Sequence, residues 1–211
     1  EIGNCRNSMA KPLTILGTEI NTEPRAILVA RLREWLTERT PRQVVTVNPE
    51  MLVAAQRSDR SKQLLNGADL RLADGSGILF IARLFNLPLP DRFTGVDLVN
   101  ELCMSAAELG RSVYLVGGEP NVARDAAVAL QRRHPTLRIA GAEEGIPKLT
   151  DARFQSLDPA YDEAAVVSRI ATAKPGVLFV AYGHPKQEAF IADHATELGA
   201  SVLVGVGGTF D

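Results

Sequence analysis

Val44-Val45-Thr46-Val47-Asn48-Pro49-Glu50 and, further on, Leu70-Arg71-Leu72-Ala73-Asp74-Gly75-Ser76-Gly77 are the stretches that decide the fold class. Val44 to Val47 is a short, mostly β-branched run of the kind that forms a buried strand. Asn48-Pro49-Glu50 breaks it and opens a helix. Asn48 suits the cap, Pro49 the first helical position, and Glu50 the positive helix end. Leu70 to Ala73 reads as a second strand, ending in Asp74-Gly75-Ser76-Gly77 ahead of another apolar helix. Two consecutive strands thus deliver Thr46, Asn48 and Asp74 to their carboxyl ends, each beside a helix N-terminus. In open α/β sheets that edge is where ligands bind, so the site is expected there.

Outward from this stretch, strand and helix signals keep alternating. Leu13 to Leu16, Ser112 to Val116, Arg138 to Ala142, Val177 to Val180 and Ser201 to Val206 are expected as strands. A helix is expected from Pro24 to Glu38, with Ala26, Ile27, Val29, Ala30, Leu32 and Leu36 as its buried stripe. Ile78 to Phe85 reads as a helix stopped by Asn86-Leu87-Pro88-Leu89-Pro90. Thr94 suits the cap of a helix from Val96 to Leu109, and Asn121 the cap of one running to His134. Glu163 to Ala173 and Pro185 to Thr196 complete the expected helices. The fold class is α/β: a single domain with a mainly parallel, Rossmann-like sheet and helices on both faces. Residues 1–12 read as a tail and residues 13–211 as the domain. The polar passage from Gly145 to Glu163 is expected as a surface insertion. Gly207-Gly208-Thr209-Phe210-Asp211 resembles the loops that lead into helices elsewhere in the chain, so a further C-terminal segment is expected.

With 211 residues, 45% hydrophobic and 23% charged, the chain suits a soluble globular protein with a sizeable core. Its net charge of -2 argues against broad nucleic-acid binding. Cys5 in a polar stretch and Cys103 on an apolar helix face make no disulfide framework or metal cage, which fits a reducing cytoplasm. No run approaches a membrane-spanning length, and the first residues lack the apolar core of a signal peptide.

Three later turns carry possible chemistry. Gly117-Gly118-Glu119-Pro120-Asn121 joins a strand to a helix, so its amides can approach a phosphate; the bland alternative is a tight turn needing positive φ. Tyr182-Gly183-His184-Pro185-Lys186-Gln187-Glu188 opens a helix whose first turn offers Gln187 and Glu188 to sugar or ribose hydroxyls; otherwise Glu188 simply favours the helix N-terminus. Within it His184 is the one histidine worth testing, His134 and His194 being ordinary helix-end residues. Gly207 and Gly208 lead to Asp211, whose carboxylate can accept from a base or ribose; a flexible glycine loop is the alternative.

Taken in order, VTVNPEMLVAA, LADGSGI, LPDRFTGVDLV, VYLVGG, YGHPKQE and GVGGTFD resemble successive motifs of the WecG/TagA/CpsF family of bacterial glycosyltransferases, glycosyltransferase family 26. The resemblance covers roughly residues 13 to 211. It implies inverting transfer of a sugar, commonly N-acetylmannosamine or its uronic acid, from a UDP donor. The implied acceptor is an undecaprenyl-diphosphate-linked N-acetylglucosamine at the cytoplasmic membrane face, in teichoic-acid or surface-polysaccharide synthesis. It also implies a peripheral protein that docks through a basic, aromatic segment beyond the family's F-D, and one that tends to form homo-oligomers. Asp74 matches the aspartate of the A-D-G motif, the proposed base, with Gly75 and Gly77 leaving room for a sugar ring. Thr46 and Asn48 match the T-x-N of the same pocket, and Arg92 an arginine suited to a diphosphate. The bland alternatives are helix capping for Asp74 and Asn48 and a solvated loop for Arg92. Ile146 stands after Gly145 where the family often has an aromatic, which puts base stacking there in doubt. No D-x-D pair occurs, so metal-independent transfer without a cofactor is expected. Two other classes keep the sheet: a nicotinamide-dependent oxidoreductase, which lacks its G-x-G-x-x-G here, and a non-catalytic nucleotide-sugar binder.

Overall fold

The computed structural model describes residues 13–85, 87, 93–145 and 161–210, apart from the side chains of Ser76 and Phe210. The chain opens with a hairpin of β1 (Leu13–Ile15) and β2 (Thr18–Ile20), then helix α1 (Arg25–Thr37). β3 (Arg42–Val47) leads through α2 (Pro49–Arg57) and α3 (Asp59–Gly67) to β4 (Leu70–Ala73). After α4 (Gly75–Leu84) and α5 (Gly95–Glu108) come β5 (Ser112–Gly117), α6 (Val122–Arg133) and β6 (Arg138–Glu143). α7 (Glu163–Ala173), β7 (Val177–Ala181), α8 (Lys186–His194) and β8 (Val202–Gly205) follow, ending in a 3-10 turn at Gly207–Phe210.

β3 to β8 form one six-stranded sheet in the order β4-β3-β8-β7-β5-β6, with every pairing parallel. Strands buried on both faces account for the unbroken apolar runs of the sequence. Alternate residues feed opposite layers. Val44, Leu72, Leu115, Phe179 and Val204 pack with α1, α5 and α6. Val45 and Val47 face α2, α3 and α4, and Val116, Val180 and Leu203 face α7 and α8. Each fully buried leucine or isoleucine in these layers contributes about 2 kcal/mol. The α/β expectation therefore holds.

Local differences have physical reasons. α1 buries Leu28, Leu32, Trp35 and Leu36, whereas Ala26, Ile27 and Ala30 of the expected stripe are exposed. A helix rich in small and branched residues offers two apolar stripes, and the one bearing the tryptophan and leucines buries more area. The second strand of the opening hairpin was not expected. It turns on Leu16 and Gly17, both at positive φ (50° and 74°). Behind it, Asn21 caps the sheet edge, its backbone N–H donating to Arg71 O (2.8 Å) and its side-chain Oδ1 accepting from Arg71 N (2.9 Å). That covers an edge otherwise open to strand addition. Asn121 precedes α6 at φ 72° without a side-chain cap bond, so its left-handed turn replaces the expected capping. Most of the expected insertion, residues 146–160, lies outside the described residues.

Thr94 caps α5 with a full capping box: its Oγ1 accepts from Asp97 N (3.1 Å), and Asp97 Oδ2 accepts from Thr94 N (3.0 Å). Thr94→Ala is expected to lower stability by about 1 kcal/mol in urea unfolding. Cys103 is buried and free in the middle of α5, and burial pushes its thiol up to about 12.

Candidate active site

Because all six strands run parallel, the segments after β3, β4, β7 and β8 emerge on one rim of the sheet. They enclose a cavity of about 540 Å³ lined by Thr46, Asn48, Asp74, Gln187, Gly207 and Gly208, together with His184 and Thr209. Seven of the residues singled out in the sequence, His184 among them, are thereby brought to one place.

Asp74 directly follows β4. Its backbone N–H donates to Val47 O (2.8 Å), extending the β3–β4 ladder by one bond and fixing where the side chain leaves the sheet. Although it occupies the N-cap position of α4, its side chain makes no cap hydrogen bond. Capping is therefore not what this carboxylate does. Asn48 does cap: its Oδ1 accepts from Met51 N (2.9 Å), while the residue also lines the cavity. Thr46, the last inward polar residue of β3, is buried.

The start of α5 closes one side. A Cβ placed on Gly95 would stand 3.0 Å from Thr209 Oγ1 and 3.9 Å from both Asp74 Oδ2 and Thr46 Oγ1. Glycine at 95 lets the N-terminus of α5 come against three polar side chains from three separate segments, the end of β3, the start of α4 and the 3-10 turn. Thr209 is in turn held by a hydrogen bond from its Oγ1 to Val206 O (2.5 Å).

The first turn of α8 also contributes to the cavity, through Gln187. Glu188 is completely buried, and both carboxylate oxygens are engaged: Oε1 accepts from Gln187 Nε2 (2.8 Å) and Oε2 is 2.9 Å from His184 Nδ1. Gln187 Oε1 accepts from Gly207 N (3.0 Å). Gly205 is what admits this amide, since a Cβ there would be 2.6 Å from Gln187 Nε2. Glu188 therefore does not reach the cavity as the sequence suggested. It stands behind the wall and holds His184 and Gln187, which do line it.

Two further sequence expectations change. Gly117 and Gly118 do not line this cavity. The Gly118 N–H donates to Ala181 O (3.0 Å), and a Cβ on Gly117 would meet that carbonyl at 2.5 Å. The pair, at φ 125° and 80°, is a tight turn packed on β7 rather than a row of open amides. Gly77 makes room for Pro49 Cγ, 2.5 Å from where its Cβ would be, and not for a ligand; Gly75, at φ 79°, does face open space. Arg92, Ile146 and Asp211 lie outside the described residues. Sequence reasoning missed Glu50 and Thr209 as lining residues. In the sequence Glu50 reads only as a helix-end charge, and Thr209 is hidden between two glycines and a phenylalanine.

Comparison with known proteins bears on this rim. The family model for the glycosyl transferase WecG/TagA/CpsF family matches residues 13–211. An N-acetylglucosaminyldiphosphoundecaprenol N-acetyl-beta-D-mannosaminyltransferase of Bacillus spizizenii is 32% identical over 168 residues, covering 80% of this chain and 60% of that protein. A protein of the same name from Staphylococcus aureus is 30% identical over 209 residues, covering 98% of this chain and 76% of that protein. The chain thus spans between three fifths and about three quarters of the length of these two curated relatives. A match that includes every segment of the cavity rim, from Thr46 to Thr209, places the chain in the WecG/TagA/CpsF family of glycosyl transferases.

Proposed function

We propose that the protein transfers an N-acetylmannosamine-like sugar, its uronic acid or a hexose from a UDP-sugar to an undecaprenyl-diphosphate-linked N-acetylglucosamine, with inversion. The observation that carries this reading is the position of Asp74. It is a strand-end carboxylate with no capping bond to its helix, sharing one cavity with Thr46 and Asn48. The relatives' names, which specify an N-acetylglucosaminyldiphosphoundecaprenol and an N-acetylmannosaminyl group, support the acceptor and sugar classes.

In this scheme an acceptor hydroxyl oxygen attacks the anomeric carbon on the face opposite UDP. A new glycosidic bond forms as the bond to the β-phosphate oxygen breaks, and that oxygen leaves with the electron pair. Asp74 receives the hydroxyl proton, which an alcohol needs removed to act as a nucleophile near neutral pH. Thr46 and Asn48 orient the sugars by hydrogen bonding. Arg92 and helix N-termini meet the diphosphate charge. The absence of a D-x-D pair from the sequence supports transfer without a metal or other cofactor. Among the described residues no helix is long and apolar enough to cross a membrane. In this reading the lipid-linked acceptor is met at the inner membrane face by a peripheral protein.

A panel of UDP-sugars offered to the full-length protein with a short-chain lipid-linked N-acetylglucosamine tests the reading. One N-acetylmannosamine-type donor should give a disaccharide product, in the presence of EDTA as in its absence. Binding of NAD rather than UDP, or no transfer from any donor, would sink it.

A further inference from the structure

The buried Glu188 carboxylate has a consequence for the donor. A carboxylate with no exposed surface is costly unless a positive charge or several donors compensate it. Here it has one amide donor, Gln187 Nε2, and one imidazole, His184 Nδ1. That imidazole lines the cavity, and its other nitrogen, Nε2, is buried with no hydrogen-bond partner. Its only side-chain companions able to carry charge along the described cavity lining are Asp74 and Glu50, both acidic. His184 is therefore the one described lining residue that can become cationic. Glu188 holds it from behind the wall, Asp74 and Glu50 line the same cavity, and Lys186 stands two residues on at the start of α8.

We propose that His184, positioned by Glu188, takes up a proton when the diphosphate of the donor enters the cavity, and so supplies positive charge beside the leaving group. This rests on the UDP-sugar reading above. The step balances simply: one proton moves from solvent to the imidazole, no bond of the donor is touched, and the proton returns to solvent when UDP leaves. In the neutral ring, Nδ1 donates to Glu188 and Nε2 is an acceptor, which repels phosphate oxygens; in the protonated ring Nε2 becomes a donor. Opposite charges attract more strongly in a partly buried site than in bulk water, so an incoming diphosphate favours the protonated ring.

Two consequences separate this from a merely structural role. Calorimetry of UDP binding at pH 7.5, in buffers of differing ionisation enthalpy, should give net uptake approaching one proton for the wild type and near zero for His184→Gln. UDP affinity of the wild type should rise as pH falls, by up to about tenfold per unit across the window where free and bound states differ in protonation. Glu188→Gln removes the negative charge, and its single amide oxygen can accept from only one of the two donors, so proton uptake on UDP binding at pH 7.5 should fall below that of the wild type. Should either variant fail to fold, an NMR titration of the His184 ring in the wild type, with and without UDP, reads the same protonation directly. Equal proton uptake in wild type and His184→Gln, or none in the wild type, overturns the inference while leaving the transferase reading intact. Failure of the wild type to bind UDP at all overturns both.

Discussion

Asp74→Asn should leave a folded protein that binds UDP within about threefold of wild type yet transfers sugar about 10²- to 10⁴-fold more slowly, the usual contribution of a general base. The expectation that folding survives comes from the geometry. The ladder bond from Asp74 to Val47 O is made by the backbone N–H, and the side chain makes no cap bond to α4, so an isosteric amide leaves both as they are. The loss should appear in kcat, because in the proposed mechanism the carboxylate is needed only as the acceptor proton departs. Unchanged turnover would remove Asp74 as the base. Lost UDP binding would instead assign it to donor recognition.

Among the described glycines, Gly117→Ala is expected to be the most damaging. The added carbon would lie 2.5 to 2.7 Å from the O, C and Cα atoms of Ala181, all of them backbone, at a φ of 125° that alanine rarely adopts. No rotamer change relieves such a contact; β5 and β7 must part at the carboxyl end of their pairing, where Gly117 lies opposite Ala181. Strain and overpacking together should cost about 3 kcal/mol or more, against a total stability on the order of 5–15 kcal/mol. Gly110→Ala is the matched control, with a φ of 64° but nothing within 4 Å. It should cost only about 1–2 kcal/mol, the penalty for left-handed backbone alone. Equal midpoint shifts for the two in urea unfolding would show that the close approach to β7 does not matter.

Legibility in the sequence followed the strength of local punctuation. β4 and α7 match the expected bounds because apolar runs there are closed off sharply, by Asp74-Gly75 and by Lys174-Pro175. Thr46, Asn48 and Asp74 were placed together because a parallel strand fixes which end its last residues occupy, whatever the strand order. α8 was different. Gln187 through Ile191 are all buried, so no polar stripe indicates which side of the helix meets ligand and which meets protein. Only coordinates could turn Glu188 from a sugar-facing group into the anchor behind His184. The Gly117–Gly118 turn was likewise ambiguous, since phosphate loops and close strand crossings both call for glycine. The face of α1 was misjudged because helical period alone does not weigh a tryptophan against an isoleucine.

The position of β8 has a consequence for how the molecule is made. Residues 202–205 slot between β3 and β7, joining a left half assembled from residues 42–73 to a right half assembled from residues 112–181. Until that last wedge arrives, two growing half-sheets each present a raw, apolar margin to the cell, the vulnerable stage for aggregation. The strand that closes the gap also carries Gly207 and Thr209 to the rim. Completion of the core and completion of the cavity are thus a single event, and a ribosome-bound chain halted before residue 202 should have neither.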